Sequence, residues 1–249
     1  MEEQSKIDVL RVYTRFYKSR EKYYTPKINK ELKKQVQYVI DNGLSQTSLT
    51  SIPSYPMLVL LKELYTDAAT VYGAKVYASL PKSKARMPIG FSQMMQDLLD
   101  QYFRLELLNT VAEIEQTTRT KIQEIFSEAS INGFGNDWII AQLQLENFTR
   151  IRARLIARTE TATSANQGAM FAAQTTGVAL RKVWISAKDN RTRRRPRNEY
   201  DHLHMDGVTI PFNDSFDVSG EKMKQPGDRK NGATAGNICN CRCTIGFKK

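Results

Sequence analysis

Apolar positions recur at helical spacing through the first eighty residues of the chain. Two stripes of apolar and aromatic side chains predict two helices, Val9, Val12, Tyr13, Phe16 and Tyr17 in the first and Ile28, Leu32, Val36 and Ile40 in the second. The Asn42-Gly43 pair predicts the end of the second helix, because glycine readily adopts the left-handed conformation at a helix C-terminus. A third helix is predicted around Leu61 and Tyr65, and residues 81–88, with their prolines and charges, are typical of a linker.

The strongest helical pattern lies between residues 91 and 129. Its apolar residues fall on one stripe and predict one long helix, or two that pack by their apolar faces: Met94, Met95, Leu98, Leu99, Tyr102, Phe103, Val111, Ile114, Ile122, Ile125, Phe126 and Ala129. Gly133 predicts a helix end, and residues 135–137 predict a side-chain cap for the next helix. A further helix is predicted from about residue 146 to residue 176. Small residues on its inner face should let another backbone approach closely: Ala162, Ala165, Ala169 and Ala173.

After Gly177 the chain changes to short segments rich in β-branched and aromatic residues. Residues 182–187, 207–212 and 243–247 are predicted strands, and we expect the last one to return and pair with an earlier one. The predicted fold is therefore α+β. It comprises a helical N-terminal region for partner binding (residues 1–88), a long helical hairpin (residues 89–177) and a small mixed C-terminal domain with a few short strands (residues 178–249).

The charge balance indicates a polyanionic setting. The 249-residue chain carries 37 basic and 26 acidic residues, a formal net charge of +11. This excess favours a nucleic-acid-rich environment over a purely solubilising role. No apolar stretch approaches the length of a membrane span, and the acidic N-terminus lacks the basic and then apolar order of a signal peptide. We therefore expect synthesis in the cytosol and no membrane partner.

Five arginines within seven residues form the densest charge cluster of the chain: Arg191, Arg193, Arg194, Arg195 and Arg197. The charge density predicts an exposed loop that contacts DNA phosphates or an acidic partner surface, although a solvated loop remains an alternative. No aromatic residues interleave with the arginines, so base stacking is not implied. Arg150, Arg154 and Arg158 form a second row at helical spacing, which could contact phosphates or solvent.

The three cysteines, Cys239, Cys241 and Cys243, occupy every second position near the C-terminus. In an extended segment their sulfurs point to one face, whereas disulfides between such close neighbours would be strained. With His202, and with Cys239 or His204 as a fourth ligand, Cys241 and Cys243 could hold a structural zinc ion. The alternative is a metal-free centre in which the thiols pack and His202 bonds a loop backbone.

Several separated motifs occur together in the C-terminal half. They are Ala157-Arg158-Thr159-Glu160-Thr161, Val183-Trp184, the arginine loop, His202 five residues before Gly207, Pro226-Gly227-Asp228, and Asn240-Cys241-Arg242-Cys243. This ordered set, over roughly residues 111–249, resembles the Mu F-like phage head morphogenesis family, the minor capsid proteins.

The resemblance implies a non-enzymatic virion component inside the capsid near the portal. It would assist head assembly, DNA packaging or DNA ejection. Its implied partners are the portal protein, other capsid or scaffold proteins, and packaged DNA through non-specific backbone contacts. The family motifs Arg158, Thr159, Glu160, Trp184, Gly207 and Asp228 should then be structural: Trp184 in the core, and Arg158 and Glu160 in helix packing with local ion pairs, or in a polar link to the loop that bears His202.

Two enzymatic alternatives are weaker. Asp201, His202 and His204 beside cysteines could suggest a metal-dependent nuclease, but no convincing carboxylate pair accompanies them. Arg158 and Glu160 could suggest an ADP-ribosyltransferase-like enzyme, yet residues two apart on a helix face different directions. No catalytic residue is therefore predicted.

Overall fold

A computed structural model describes residues 1–80 and 91–249, and this part of the chain is mostly helical. The helices are α1 (Glu3–Asp41), α2 (Gln46–Thr50), α3 (Tyr55–Ser79), α4 (Phe91–Tyr102), a π-helical turn (Phe103–Leu107), α5 (Leu108–Asn132), α6 (Asn136–Gln144), α7 (Glu146–Gln174) and α8 (Ala235–Ile238). The strands are β1 (Arg181–Ile185), β2 (Thr209–Pro211), β3 (Phe216–Val218), β4 (Glu221–Met223) and β5 (Thr244–Lys248). The α+β class is confirmed, while the linker predicted at residues 81–88 lies outside the described residues. Within the described ranges, none of the helices has the length and hydrophobicity needed to span a membrane.

Helix α1 is continuous, so the prediction of two helices before Asn42 was wrong. Pro26 lies inside it. A proline in a helix interior removes a hydrogen bond and costs about 3 kcal/mol, so the local sequence disfavours a continuous helix at this point. Tyr24 and Ile28 flank Pro26 and are both fully buried. Their tertiary packing stabilises the helix on both sides of the proline.

Glycines lie at the C-terminal ends of two helices, as predicted. Gly133 takes a φ of 69° and caps α5, and Gly177 takes a φ of 62° just after α7. Gly135, however, is the N-cap residue of α6 and supplies no side-chain cap, so the cap predicted for this helix was wrong. Glycine is tolerated at the N-cap position, because solvent can bond the free N–H groups of the first turn.

The strands form two antiparallel sheets. In the larger sheet the order is β2-β1-β5, with Trp184 opposite Ile245, so the predicted return of the last strand is confirmed. The smaller sheet is the β3-β4 hairpin, which was not predicted. Its signals in the sequence are the alternation of Phe216 and Val218 and the turn at Ser219-Gly220, where both residues have positive φ.

The chain forms two compact units. The first comprises Met1–Glu21, Leu64–Gln101 and Arg158–Lys249. Its core surrounds the fully buried Trp184, as expected. Gly168 of α7 packs so closely on α3 that an added Cβ would lie 2.2 Å from the Ala69 carbonyl oxygen, which confirms the close backbone approach predicted for α7. The domain boundaries predicted at residues 88 and 177 stay predictions.

The second unit comprises Lys22–Glu63 and Tyr102–Ala157. Its core contains Val36, Val39, Leu49, Ile52, Ile122, Ile139 and Leu143. Arg152 of α7 donates to the Ile114 carbonyl and to the Thr118 hydroxyl of α5, at 3.1 and 2.9 Å. The predicted helical hairpin is thus present, with α6 connecting its two long arms.

Candidate functional site

His202, Cys241 and Cys243 meet in the first unit and form a buried cluster, which we call the Cys-His centre. His202 lies in the turns that follow β1, and the two cysteines immediately precede β5. The Nδ1 atom of His202 lies 3.4 Å from Cys241 Sγ and 3.7 Å from Cys243 Sγ. All three ligand atoms are within 4.8 Å of one another. Pairing of β5 with β1 brings the distant cysteines to His202.

Asn237 of α8 fixes the other edge of the His202 ring. Its Oδ1 lies 2.6 Å from His202 Nε2. Its Nδ2 donates to the Val218 carbonyl at 3.2 Å and to Glu221 Oε2 at 2.9 Å. The metal-free alternative placed a loop backbone at the His202 ring, but the partner is this side-chain amide. Sequence reasoning missed Asn237, because its contacts depend on a hairpin that was not predicted.

The three groups perturb one another electrostatically. A hydrogen bond from Cys243, helped by the nearby His202, holds the pKa of Cys241 well below its ordinary range, although burial opposes this. The same hydrogen bond and burial raise the pKa of Cys243. Burial by itself lowers the pKa of His202, but the charge of Cys241 and the bonds to Cys241 and Asn237 outweigh it, so the pKa is raised. Of the two thiols, Cys241 is therefore the more acidic.

The two extra ligand candidates do not belong to this centre. Among the described residues, the group that could hold a metal comprises only His202, Cys241 and Cys243, without Cys239 or His204. His204 is exposed, and Cys239 is half-buried. The Cys239 carbonyl accepts a hydrogen bond from Arg193. The structure thus separates the alternating cysteines, because the turn at Asn240, with a φ of 62°, interrupts the extended geometry assumed for them.

Three family-motif residues on α7 bind other parts of the same unit. Arg158 donates to Glu21 and to Asn240 Oδ1, both at 2.7 Å, and Thr159 Oγ1 accepts from the Asn240 backbone at 2.9 Å. Glu160 forms a bidentate pair with Arg229, at 2.9 and 3.2 Å. The expectation of local ion pairs was wrong, since the partners are distant in sequence. Through Asn240, Arg158 is linked to residues 239–243, which we call the cysteine segment. The contacts described for Arg158 include no bond to the loop that bears His202.

Asn166, about two turns beyond Arg158 and Glu160 on α7, holds the end of the cysteine segment. It donates to the Cys243 carbonyl at 3.1 Å and accepts from Thr244 Oγ1 at 2.9 Å. Sequence reasoning missed this residue. Its only signal was a polar side chain among the inner alanines of α7, where a buried amide needs partners.

The remaining family-motif residues shape two loops. Gly207 has a φ of 82°, and its N–H donates to the Trp184 carbonyl at 2.9 Å. Asp228 accepts from the backbone of Lys224 and Lys230, at 2.7 and 3.0 Å. This closes the loop that carries Arg229 toward Glu160. In this chain both positions thus form contacts that close loops of the first unit.

The arginine loop divides into two groups. Arg191, Arg195 and Arg197 are exposed, whereas Arg193 and Arg194 are half-buried. The charge density predicted that the whole arginine loop would be exposed, but Arg193 instead donates a hydrogen bond to the Cys239 carbonyl. In the helical row, Arg150 and Arg154 are exposed while Arg158 is buried in its ion pair. Hence three loop arginines remain available to a polyanion.

The chemistry open to the Cys-His centre is limited by access. Cysteine, histidine and an orienting amide are the groups that thiol hydrolases use. Cys241 is only 4% exposed and His202 only 1%, so a substrate carbonyl has no approach to the sulfur. Asp201, which the nuclease alternative required, accepts from the backbone of His204 and Arg195 at 2.9 and 3.4 Å and so stabilises its own loop.

Comparison with known proteins identifies one family. The family model described as Phage Mu protein F like protein matches residues 120–246, which is 127 of the 249 residues. The match contains the Cys-His centre and every α7 residue that binds the cysteine segment. No curated protein and no solved structure matches the chain.

Proposed function

Since the chain belongs to the Phage Mu protein F like family of phage head morphogenesis proteins, we propose that it is a non-enzymatic minor capsid protein acting inside the head near the portal. The observation that carries the proposal is the family match over residues 120–246. Its work would be binding and assembly during head formation, DNA packaging or DNA ejection. The portal protein and other capsid or scaffold proteins are the proposed partners.

The use of the motif residues supports binding over turnover. Arg158, Glu160 and Asp228 each form hydrogen bonds to partners within the first unit. Arg158 binds Glu21 and Asn240 whereas Glu160 binds Arg229, and this difference in partners disfavours an ADP-ribosyltransferase-like site. A nuclease would need carboxylates around a metal, and the ligand cluster found among the described residues contains none.

Particle analysis tests the assembly role. Phage lacking the gene should yield heads with defective assembly or DNA content, and the protein should co-purify with virions in few copies relative to the major capsid protein. Co-expression with the portal protein of the same phage should give a complex that survives size-exclusion chromatography. Full, infectious heads formed without the protein, together with its absence from wild-type virions, would contradict the proposal.

We further propose that Arg191, Arg195 and Arg197 contact the phosphates of packaged DNA. All three side chains are exposed on one short loop of a strongly basic chain. Arg193 is excluded from this surface because it bonds the Cys239 carbonyl. Phosphate contacts of this kind carry no sequence information and depend strongly on salt.

A salt titration tests the DNA contact. Each phosphate contact contributes about 0.9 to the slope of log affinity against log salt, so replacing the three arginines with alanine should reduce the slope by about 2.7. A control variant with Lys75, Lys121 and Lys222 replaced by alanine removes the same charge from exposed positions elsewhere. An unchanged slope in the arginine variant, or an equal reduction in the control, would remove the loop from the contact surface. Supercoiled plasmid incubated with the protein and Mg²⁺ or Mn²⁺ should stay intact, whereas nicking would favour the nuclease alternative.

A further inference from the structure

The spacing of the ligand atoms in the Cys-His centre matches a tetrahedral metal site. Zinc bonds of about 2.3 Å to sulfur and about 2.05 Å to nitrogen place a nitrogen and a sulfur about 3.5 Å apart on neighbouring corners of a tetrahedron. The two measured distances from His202 Nδ1, 3.4 and 3.7 Å, bracket that value. Two sulfurs bound to the same zinc would be about 3.8 Å apart. That separation agrees with the observation that all three ligand atoms lie within 4.8 Å of one another.

The contacts of Asn237 orient His202 as a metal ligand. Its Nδ2 donates both protons, to Val218 and Glu221, so its Oδ1 must be the atom that faces His202 Nε2. An oxygen acceptor there requires Nε2 to carry a proton. In neutral His202 the lone pair is consequently on Nδ1, the atom that faces both sulfurs. An outer partner that fixes the tautomer in this way is the usual companion of a zinc-binding histidine.

A metal-free centre explains this convergence less well. The Nδ1 atom has one lone pair and can accept one S–H proton, yet two sulfurs approach it. Without a metal, the Cys243 thiol has only the Cys241 sulfur as its acceptor, and a charged pair of Cys241 and His202 is buried inside a core formed with Trp184 and Phe216, where charges are costly. A divalent cation instead satisfies all three lone pairs at one point.

We propose that His202 Nδ1, Cys241 Sγ and Cys243 Sγ supply three of the four ligands of one structural Zn²⁺ ion, with a water molecule as the fourth. Thiolate and imidazole are the ligands that zinc favours, and oxygen-seeking cations such as Mg²⁺ do not fit them. Binding releases the two thiol protons to solvent and leaves the imidazole neutral. The ion would tie the turns after β1 to the segment before β5, which are separated by about forty residues. This inference does not depend on the virion role.

Metal content of the purified full-length chain is the direct test. Protein expressed with added zinc should retain about one equivalent after dialysis, and Cys241→Ser and Cys243→Ser should each lose most of it. Cys239→Ser is the matched control, because this neighbouring thiol lies outside the centre, and it should keep the wild-type zinc content. Folded wild-type protein without stoichiometric zinc would overturn the proposal, as would loss of zinc in Cys239→Ser alone.

Wild-type protein gives a second measurement if the serine variants do not fold. Titration of chelator-treated protein with Co²⁺ should produce the visible bands of tetrahedral coordination and the near-ultraviolet thiolate-to-metal absorption. Asn237→Ala should weaken zinc affinity about 10–100-fold in competition with a chromogenic chelator, because the tautomer of His202 is no longer fixed. Absence of the cobalt bands would refute the assignment of His202, Cys241 and Cys243 as metal ligands. Unchanged zinc affinity in Asn237→Ala would refute the orienting role of Asn237.

Discussion

Replacing Lys182 with methionine is expected to stabilise the protein. Lys182 lies in β1 with no exposed surface, and its Nζ has no hydrogen-bond partner among the described residues. Burial, reinforced by nearby Lys224, lowers the pKa of this amine from 10.5 to about 8, although Asp228 and Asp214 oppose the shift. The folded protein therefore holds a buried charge at neutral pH that the unfolded chain exposes to water.

The magnitude follows from that difference in pKa. A lowering from 10.5 to about 8 corresponds to about 3 kcal/mol at most. Relaxation of the surrounding structure around the charge reduces this to about 1.5–2 kcal/mol. The amine also lies 5.4 Å from the centroid of the Phe216 ring and 6.0 Å from that of Phe212. Loss of these distant cation-π contacts offsets about 0.5–1 kcal/mol, so Lys182→Met should gain about 1 kcal/mol at pH 7.

The pH dependence has a definite sign. Below pH 8 the amine is charged in both states, and the folded protein bears the whole penalty. Between about pH 8 and 10.5 the unfolded chain binds more protons, so this group makes wild-type stability rise with pH. Above 10.5 the penalty is gone. The advantage of Lys182→Met should therefore shrink steadily across this interval.

Urea denaturation of both proteins at pH 7, 8.5 and 10, followed by tryptophan fluorescence, measures the difference. Other groups titrate in this range, but they contribute equally to wild type and variant and cancel. Lys75→Met, at an exposed position, is the control and should show no such trend. A Lys182→Met protein that is less stable at pH 7, or a stability difference that does not change with pH, would refute the reasoning.

Two further predictions concern packing and a buried ion pair. Gly168→Ala should cost about 3 kcal/mol or more, because its Cβ would lie 2.2 Å from the Ala69 oxygen. Gly135→Ala, which has open space around it, is the control and should cost under about 1 kcal/mol. Equal urea midpoints for the two variants would contradict the close approach of α7 to α3. Glu160→Gln should cost about 2–3 kcal/mol, because it removes the charge of the buried carboxylate that pairs with the Arg229 guanidinium. In a double-mutant cycle with Arg229→Met we expect a coupling near 2 kcal/mol, and additive effects would show that the pair does not stabilise the fold.

Sequence periodicity predicted the helices and the three strands of the larger sheet because those patterns report short-range geometry. It failed at Pro26, where the local preference for a break is outweighed by burial of Tyr24 and Ile28. It also missed the β3-β4 hairpin, whose three-residue strands are too short to establish a period. Of the Cys-His centre, the sequence supplied the three ligand types but could not separate Cys241 and Cys243 from Cys239.

The sequence by itself determined the α+β class, the basic charge, the family resemblance and the kinds of ligand atoms near the C-terminus. Each of these depends on residue identity or on spacing within a few turns. Only the tertiary structure decided that Arg158 reaches Glu21, that Asn237 orients His202, and that the Lys182 amine finds no hydrogen-bond partner among the described residues. Those contacts join residues far apart in the chain. Their distances follow from how the strands and helices pack, which local sequence preferences do not specify.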